Sequence, residues 1–143
     1  MNLTQRARDF FVQDIYATRI TGVIIASVTE FETICTLQLT EDHRNAAGGV
    51  MGGVLFTLAD FAFAVAANTP LLEQGESNYW ISLNSTIHYL APTNGEQLTA
   101  RTTCIKSGKS VCLYNIDIFD EHKMIATIQT TGTKPHRNST NSK

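Results

Sequence analysis

The 143-residue sequence predicts an α+β fold in which an antiparallel sheet of five or six strands curves around one long helix. Three observations lead there. Residues 51–68 are apolar on nearly all sides and rich in alanine, the pattern of a helix buried on most of its faces. Other stretches are rich in β-branched residues or alternate apolar with polar, the period of a strand with one face on a core. Helical and strand-like segments are also segregated along the chain, which disfavours repeated βαβ units.

Taken in order, residues 3–18 place Ala7, Phe10, Phe11 and Ile15 at helical spacing and predict an amphipathic first helix. Residues 19–29 are β-branched, Glu30-Phe31-Glu32 breaks them, and residues 33–40 alternate with Cys35, Leu37 and Leu39 on one face. These two read as paired strands. Residues 41–49 are polar and end in glycine, so they read as a loop. The apolar helix of residues 51–68 spans roughly 25 Å, the width of a small domain, and Pro70 is expected to end it. After a loop at residues 71–78, strands are expected at 80–90, 97–106, 111–119 and 124–132, separated by turns at 91–95, 107–109 and 120–123. One domain over residues 1–134 is expected, with a polar tail at 135–143.

Composition narrows the function classes. The net charge is −2 with no basic or acidic block, so there is no electrostatic case for nucleic acid or an anionic membrane surface. The apolar helix is too short and too alanine-rich to read as a membrane span. Residues 1–20 mix Arg6, Arg8, Asp9 and Asp14 among their apolar residues, unlike a signal peptide. Three cysteines, Cys35, Cys104 and Cys112, are an odd count without Cys-x-x-Cys spacing. They read as ordinary thiols in a reducing cytoplasm, although a hairpin centred on Gly108 would set Cys104 opposite Cys112. The histidines lack metal-ligand spacing, and no metal or cofactor is expected.

Asp60 stands out in the apolar helix, with no Lys or Arg within a turn or two. A buried carboxylate costs several kcal/mol unless paired. It is therefore either a residue that reaches solvent or a functional acid. Just ahead of the helix, Gly48-Gly49-Val50-Met51-Gly52-Gly53 is either a plain glycine turn or an oxyanion hole made from the first helical N–H groups. Gly52 and Asp60 lie eight residues apart, about 12 Å along one helix. A base and an oxyanion donor must both approach one reacting group to about 3 Å. If both residues act, two antiparallel helices from two subunits must supply them.

The motif His43-Arg44-Asn45-x-x-Gly48-x-x-Met51-Gly52-Gly53-x-x-x-Thr57-Leu58-Ala59-Asp60 resembles the signature of hotdog-fold thioesterases of the phenylacetic-acid-degradation (PaaI-like) group. Residues 82–92, 95–98, 106–110 and 124–133 are similar to the same family. The resemblance implies a hotdog fold, homodimers often paired into homotetramers, and hydrolysis of a short-chain or aryl acyl-CoA. Carried over by position, the Gly52 N–H, with Gly53 beside it, would polarise the thioester carbonyl. Asp60 of the partner subunit would be general base or nucleophile, Asn45 would help position the reacting groups, and Ser82 would assist the water.

Met51 departs from the family, which has histidine before the Gly-Gly pair; a thioether cannot donate a hydrogen bond. That departure keeps open an alternative, a catalytically weak acyl-CoA-binding module. His43, near Asn45, is a candidate ligand contact, and Lys106 and Lys109 are candidate contacts for CoA phosphates.

Overall fold

The computed structural model describes residues 2–135. The expected polar tail therefore lies, beyond Pro135, outside the described residues. The elements are α1 (Leu3–Phe11), a π-helical turn (Tyr16–Thr21), β1 (Val23–Val28), β2 (Thr33–Gln38), a 3-10 turn (Glu41–His43), α2 (Gly52–Glu73), β3 (Ile81–Tyr89), β4 (Gln97–Ser107), β5 (Val111–Phe119) and β6 (Met124–Thr133). Six strands form one antiparallel sheet in the order β1-β2-β4-β5-β6-β3. The sheet wraps α2, as the all-round apolar pattern of that helix requires.

The core lies between the two. Cys112, Tyr114, Ile116 and Ile118 of β5 alternate inward, and Ile125, Ile128 and Thr130 of β6 join them. They meet Leu55, Leu58, Phe61, Phe63 and Val65 of α2, all buried. Phe63 packs edge-on to Tyr114, with centroids 5.5 Å apart at 82°. At Gly132 of β6 a Cβ would fall 2.7 Å from both the Phe63 ring and the Cys112 sulfur. The absent side chain is what lets the sheet close on the helix there.

Three expectations are corrected. The first helix ends at Phe11, and residues 16–21, of which 16–18 were expected in that helix and 19–21 as the start of a strand, form the π-helical turn. Ala17 and Thr21 are buried there, the Gly22 N–H reaches back to the Ala17 carbonyl at 3.1 Å, and Gly22 at φ 95° turns the chain into β1. Tertiary packing thus overrides the β-branched preference of Ile20 and Thr21. Second, Pro70 does not end α2, which continues to Glu73. Proline forfeits one ladder bond, but buried Leu71 anchors the final turn. At 22 residues α2 is long and apolar enough to cross a membrane by composition, yet here most of it is buried by the sheet. Third, a register shift between Cys104 and Lys106 sets Cys104 opposite Tyr114 and Cys112 opposite Ser107. The facing cysteine pair does not form, and all three thiols are free. Burial pushes the Cys35 thiol up to about 12.

The two sheet edges differ. Along β1, Arg8 of α1 donates to the Ile25 and Ala26 carbonyls at 2.9 and 3.1 Å, and the Val28 N–H donates to Thr4 Oγ1 at 2.9 Å. Side chains from α1 therefore blunt that edge. β3 pairs only with β6 among the described residues, and its other edge is open.

Candidate active site

α2 leaves one stripe uncovered. Gly53, Phe56 and Asp60 are exposed, and Thr57 and Ala64 are half-buried, at helical spacing. Asp60 thus reaches solvent within the protomer, one of the alternatives the sequence left open. Its carboxylate faces β3, where the Ser82 hydroxyl donates to Oδ1 at 2.9 Å. Two residues selected from sequence are brought together here, and a hydroxyl donated to a carboxylate fixes the orientation of both.

Beside Asp60 lies an open cavity of about 510 Å³, walled by Ile15, Tyr16, Phe56, Phe61 and Ala64 and bearing the Asp14 carboxyl as a second acid. Partial burial, then the neighbouring Asp60 charge, hold the Asp14 carboxyl above the usual aspartate range. Sequence reasoning missed Asp14. It reads as one more polar residue of an amphipathic helix, and only the π-helical turn that follows α1 brings it against α2.

At the other end of the stripe, Gly52 and Gly53 open α2. Met51 caps them without a side-chain hydrogen bond. Their N–H groups precede the first intrahelical acceptor, so they remain donors at the positive end of the helix. Tyr89, at the end of β3, lies across this point, and its hydroxyl donates to the Gly52 carbonyl at 3.3 Å. A Cβ at position 52 would meet Tyr89 Oη at 3.0 Å and Cζ at 3.1 Å. Glycine is needed there for close approach, a signal that sequence spacing alone does not carry.

The remaining candidates divide. Asn45 Oδ1 accepts from the Ala47 and Gly49 N–H groups, both at 3.0 Å, and so shapes the loop that delivers the chain to Gly52. Asn45 is otherwise exposed. His43, expected as a candidate ligand contact, is buried and structural: Nδ1 accepts from the Thr40 N–H at 3.0 Å, which leaves Nε2 to donate to the Thr21 carbonyl at 2.7 Å. Both ring nitrogens are spent holding the 3-10 turn to the end of the π-helical turn. Lys106 and Lys109 are exposed on the β4–β5 hairpin. Ser82, Gly132, Cys112 and Ser107 form one row across β3, β6, β5 and β4. Three strand spacings separate that hairpin from Ser82 by roughly 14 Å.

A six-stranded antiparallel sheet wrapped around one long helix has counterparts among known proteins. The thioesterase superfamily model matches residues 47–127, from the glycine loop into β6. The chain belongs to the thioesterase superfamily. Within it the PaaI-like hotdog enzymes are its relatives: the acyl-coenzyme A thioesterase PaaI of Escherichia coli is 31% identical over 134 residues, covering 93% of this chain and 89% of that protein. The solved E. coli PaaI structure, from the phenylacetic acid degradation operon, superposes with a TM-score of 0.77 at 26% identity, covering 94% of this chain and 97% of that one. Human acyl-coenzyme A thioesterase 13 is 28% identical over 102 residues, 70% of each chain.

Proposed function

We propose that the protein hydrolyses a short-chain or aryl acyl-CoA thioester in an active site shared between two subunits. One observation carries the reading. Asp60 with Ser82, and Gly52 with Tyr89, sit at opposite ends of β3, on the face of α2 that the protomer leaves uncovered. Within one chain the two ends are about 12 Å apart along the helix, too far to serve one carbonyl.

The open edge of β3 offers the means of joining them. An antiparallel pairing of two β3 strands about a two-fold axis, centred between Ser85 and Thr86, sets Ser82 of one subunit opposite Tyr89 of the other. Asp60 then approaches the Gly52 amide across the interface, in two equivalent sites. Further pairing of dimers gives a homotetramer. The hotdog domain of residues 1–134 is the unit that assembles, and the reducing cytoplasm is where its three free thiols fit.

In each site the thioester oxygen sits at the Gly52 N–H, supported by the end of the helix dipole. Asp60 takes a proton from a water that Ser82 and Asn45 help to position, and the water oxygen attacks the carbonyl carbon. Negative charge collects on the oxygen at Gly52. Collapse breaks the C–S bond, and the thiolate, whose conjugate acid has a pKa near 8.5, leaves without a strong general acid and takes up the proton from Asp60. Direct attack by Asp60 through a mixed anhydride uses the same groups. Label found in Asp60 after a single turnover in ¹⁸O-water would establish the anhydride route, with water attacking the aspartyl carbonyl of the anhydride. The cavity beside Asp60 takes the acyl group, and Lys106 and Lys109 meet the CoA phosphates as point charges.

Thiol release from a panel running from acetyl-CoA to decanoyl-CoA and benzoyl-CoA is the test. Asp60→Asn should abolish it and leave the oligomer intact; full activity in that variant would reject Asp60 as the base. The exposed thioether of Met51 motivates the second reading, an acyl-CoA-binding module. Tight binding of acyl-CoA by the native protein without thiol release would establish it.

A further inference from the structure

We propose that the Tyr89 phenol is a second hydrogen-bond donor to the thioester oxygen held at the Gly52 amide. The inference rests on the thioesterase reading and extends it to a residue outside the motif. Tyr89 is the side chain closest to a Cβ built at Gly52: Oη, Cζ and Cε1 lie 3.0, 3.1 and 3.3 Å from that position. The hydroxyl is therefore within one van der Waals contact of the residue whose N–H faces the substrate.

Its present hydrogen bond is weak. The 3.3 Å separation from the Gly52 carbonyl is long for an O–H···O bond, which centres near 2.8 Å. That carbonyl is also a helix acceptor, with an intrahelical N–H of its own. The phenol loses little by turning its proton to a nearby oxygen that is gaining charge. Tyr89 is 55% exposed, so substrate can reach it.

Neither Met51 nor His43 supplies a donor at this end of the helix. Met51 carries a thioether, which cannot donate. The ring nitrogens of His43 are tied to Thr40 and Thr21. With Tyr89 in place the developing oxyanion receives two hydrogen bonds, one from the Gly52 N–H and one from the phenol, and the phenol keeps its proton throughout. Water still supplies the nucleophile, Asp60 still carries the transferred proton, and the C–S bond still breaks to release thiol.

Tyr89→Phe keeps the ring against Gly52 and removes only the donor. With the best substrate of the panel, kcat should fall on the order of 10²-fold while KM changes little, as for loss of one oxyanion-hole donor. The Asp60→Asn background holds substrate without turnover. There the carbonyl stretch of bound butyryl-CoA, ¹³C-labelled at the carbonyl, should lie at lower frequency with Tyr89 present than after Tyr89→Phe. Should that substitution disturb the start of α2, 3,5-difluorotyrosine at position 89 keeps the shape and donates more strongly, and at pH 6 it should raise kcat. An active native enzyme whose Tyr89→Phe variant keeps its kcat, with the carbonyl frequency unmoved, overturns the proposal and leaves the thioesterase reading standing. Absence of thiol release from the native protein across the whole panel overturns both.

Discussion

Two inactive variants, Asp60→Asn and Gly52→Pro, should restore each other when they share a dimer. The proline is chosen to disable the Gly52 end of the site, deleting the Gly52 N–H and shifting the Tyr89 ring. Position 52 begins α2, where a missing N–H costs no helical bond. Met51 before it has φ −61° and ψ 135°, the extended conformation that a residue preceding proline prefers. The new Cβ meets the Tyr89 ring at 3.0 to 3.3 Å, so that ring must give by a few tenths of an ångström. Each variant alone should fold and lose about 10²–10³ in kcat or more. In a hybrid dimer, one site receives an intact Gly52 from the first chain and an intact Asp60 from the second, and the other site receives both defects. Random assortment makes about half of the dimers hybrid, each with one good site of two, so an equimolar mixture should recover about a quarter of native activity. The assay is co-refolding of two differently tagged chains from urea, followed by tandem affinity isolation and thiol release. Isolated hybrids should then show about half of native activity. Hybrids no more active than their parents would refute the shared site.

Three further outcomes are expected. Gly132→Ala drives a methyl into Phe63 and Cys112, both at 2.7 Å, and should cost about 1–3 kcal/mol by overpacking, read as a lower urea midpoint at unchanged slope. For Asp14, the folded carboxyl titrates above its ordinary value of 3.8, so the native state holds the proton more tightly than the unfolded chain. Its contribution to stability is full below pH 3.8 and is lost as pH rises through the raised value. Asp14→Asn should therefore gain in urea midpoint relative to native above that window and not below it, and a constant offset at every pH would contradict the cause. Leu83→Lys places a charge on the open edge strand at a side chain 63% exposed. It should yield a folded protomer by sedimentation and circular dichroism with almost no thiol release, although no catalytic group has changed. An active monomer would defeat assembly through β3.

Most of the fold was legible because its signals are local. Alternation marked β2 and β5, and the unbroken apolar run marked α2, even though its end was misjudged. Propensity placed a stop at Pro70, whereas the buried Leu71 one residue later holds the last turn. The π-helical turn was illegible for the same kind of reason, since Ile20 and Thr21 read as strand until Ala17 and Thr21 find burial against α2. Among the candidate site residues, Asp60, Gly52 and Ser82 were selected from pattern and resemblance, and the Ser82–Asp60 hydrogen bond joins two of them. Asp14 and Tyr89 were not, because their significance comes from contacts across 46 and 37 positions of sequence, to Asp60 and Gly52. His43 misled for the opposite reason: its place in the motif suggested substrate, but its buried ring bridges the Thr40 N–H and the Thr21 carbonyl.

In the proposed dimer, the position of Asp60 would join assembly to chemistry. In the single protomer the carboxylate is exposed, so it carries no desolvation cost and needs no cation beside it. The surface around it is nonetheless apolar: Phe56, Ile81 and Leu83 are exposed large hydrophobics along α2 and β3. A second subunit laid on that surface would bury these side chains, at roughly 25 cal/mol for each Å² removed from water, and would strip water from Asp60 in the same step. The Ser82 hydroxyl then becomes the group that compensates a partly desolvated charge, and the loss of bulk water strengthens the pull of the carboxylate on a nucleophilic water proton. On this view the acid stays solvated until the two halves of the site are together, so association builds the base and the oxyanion hole at once.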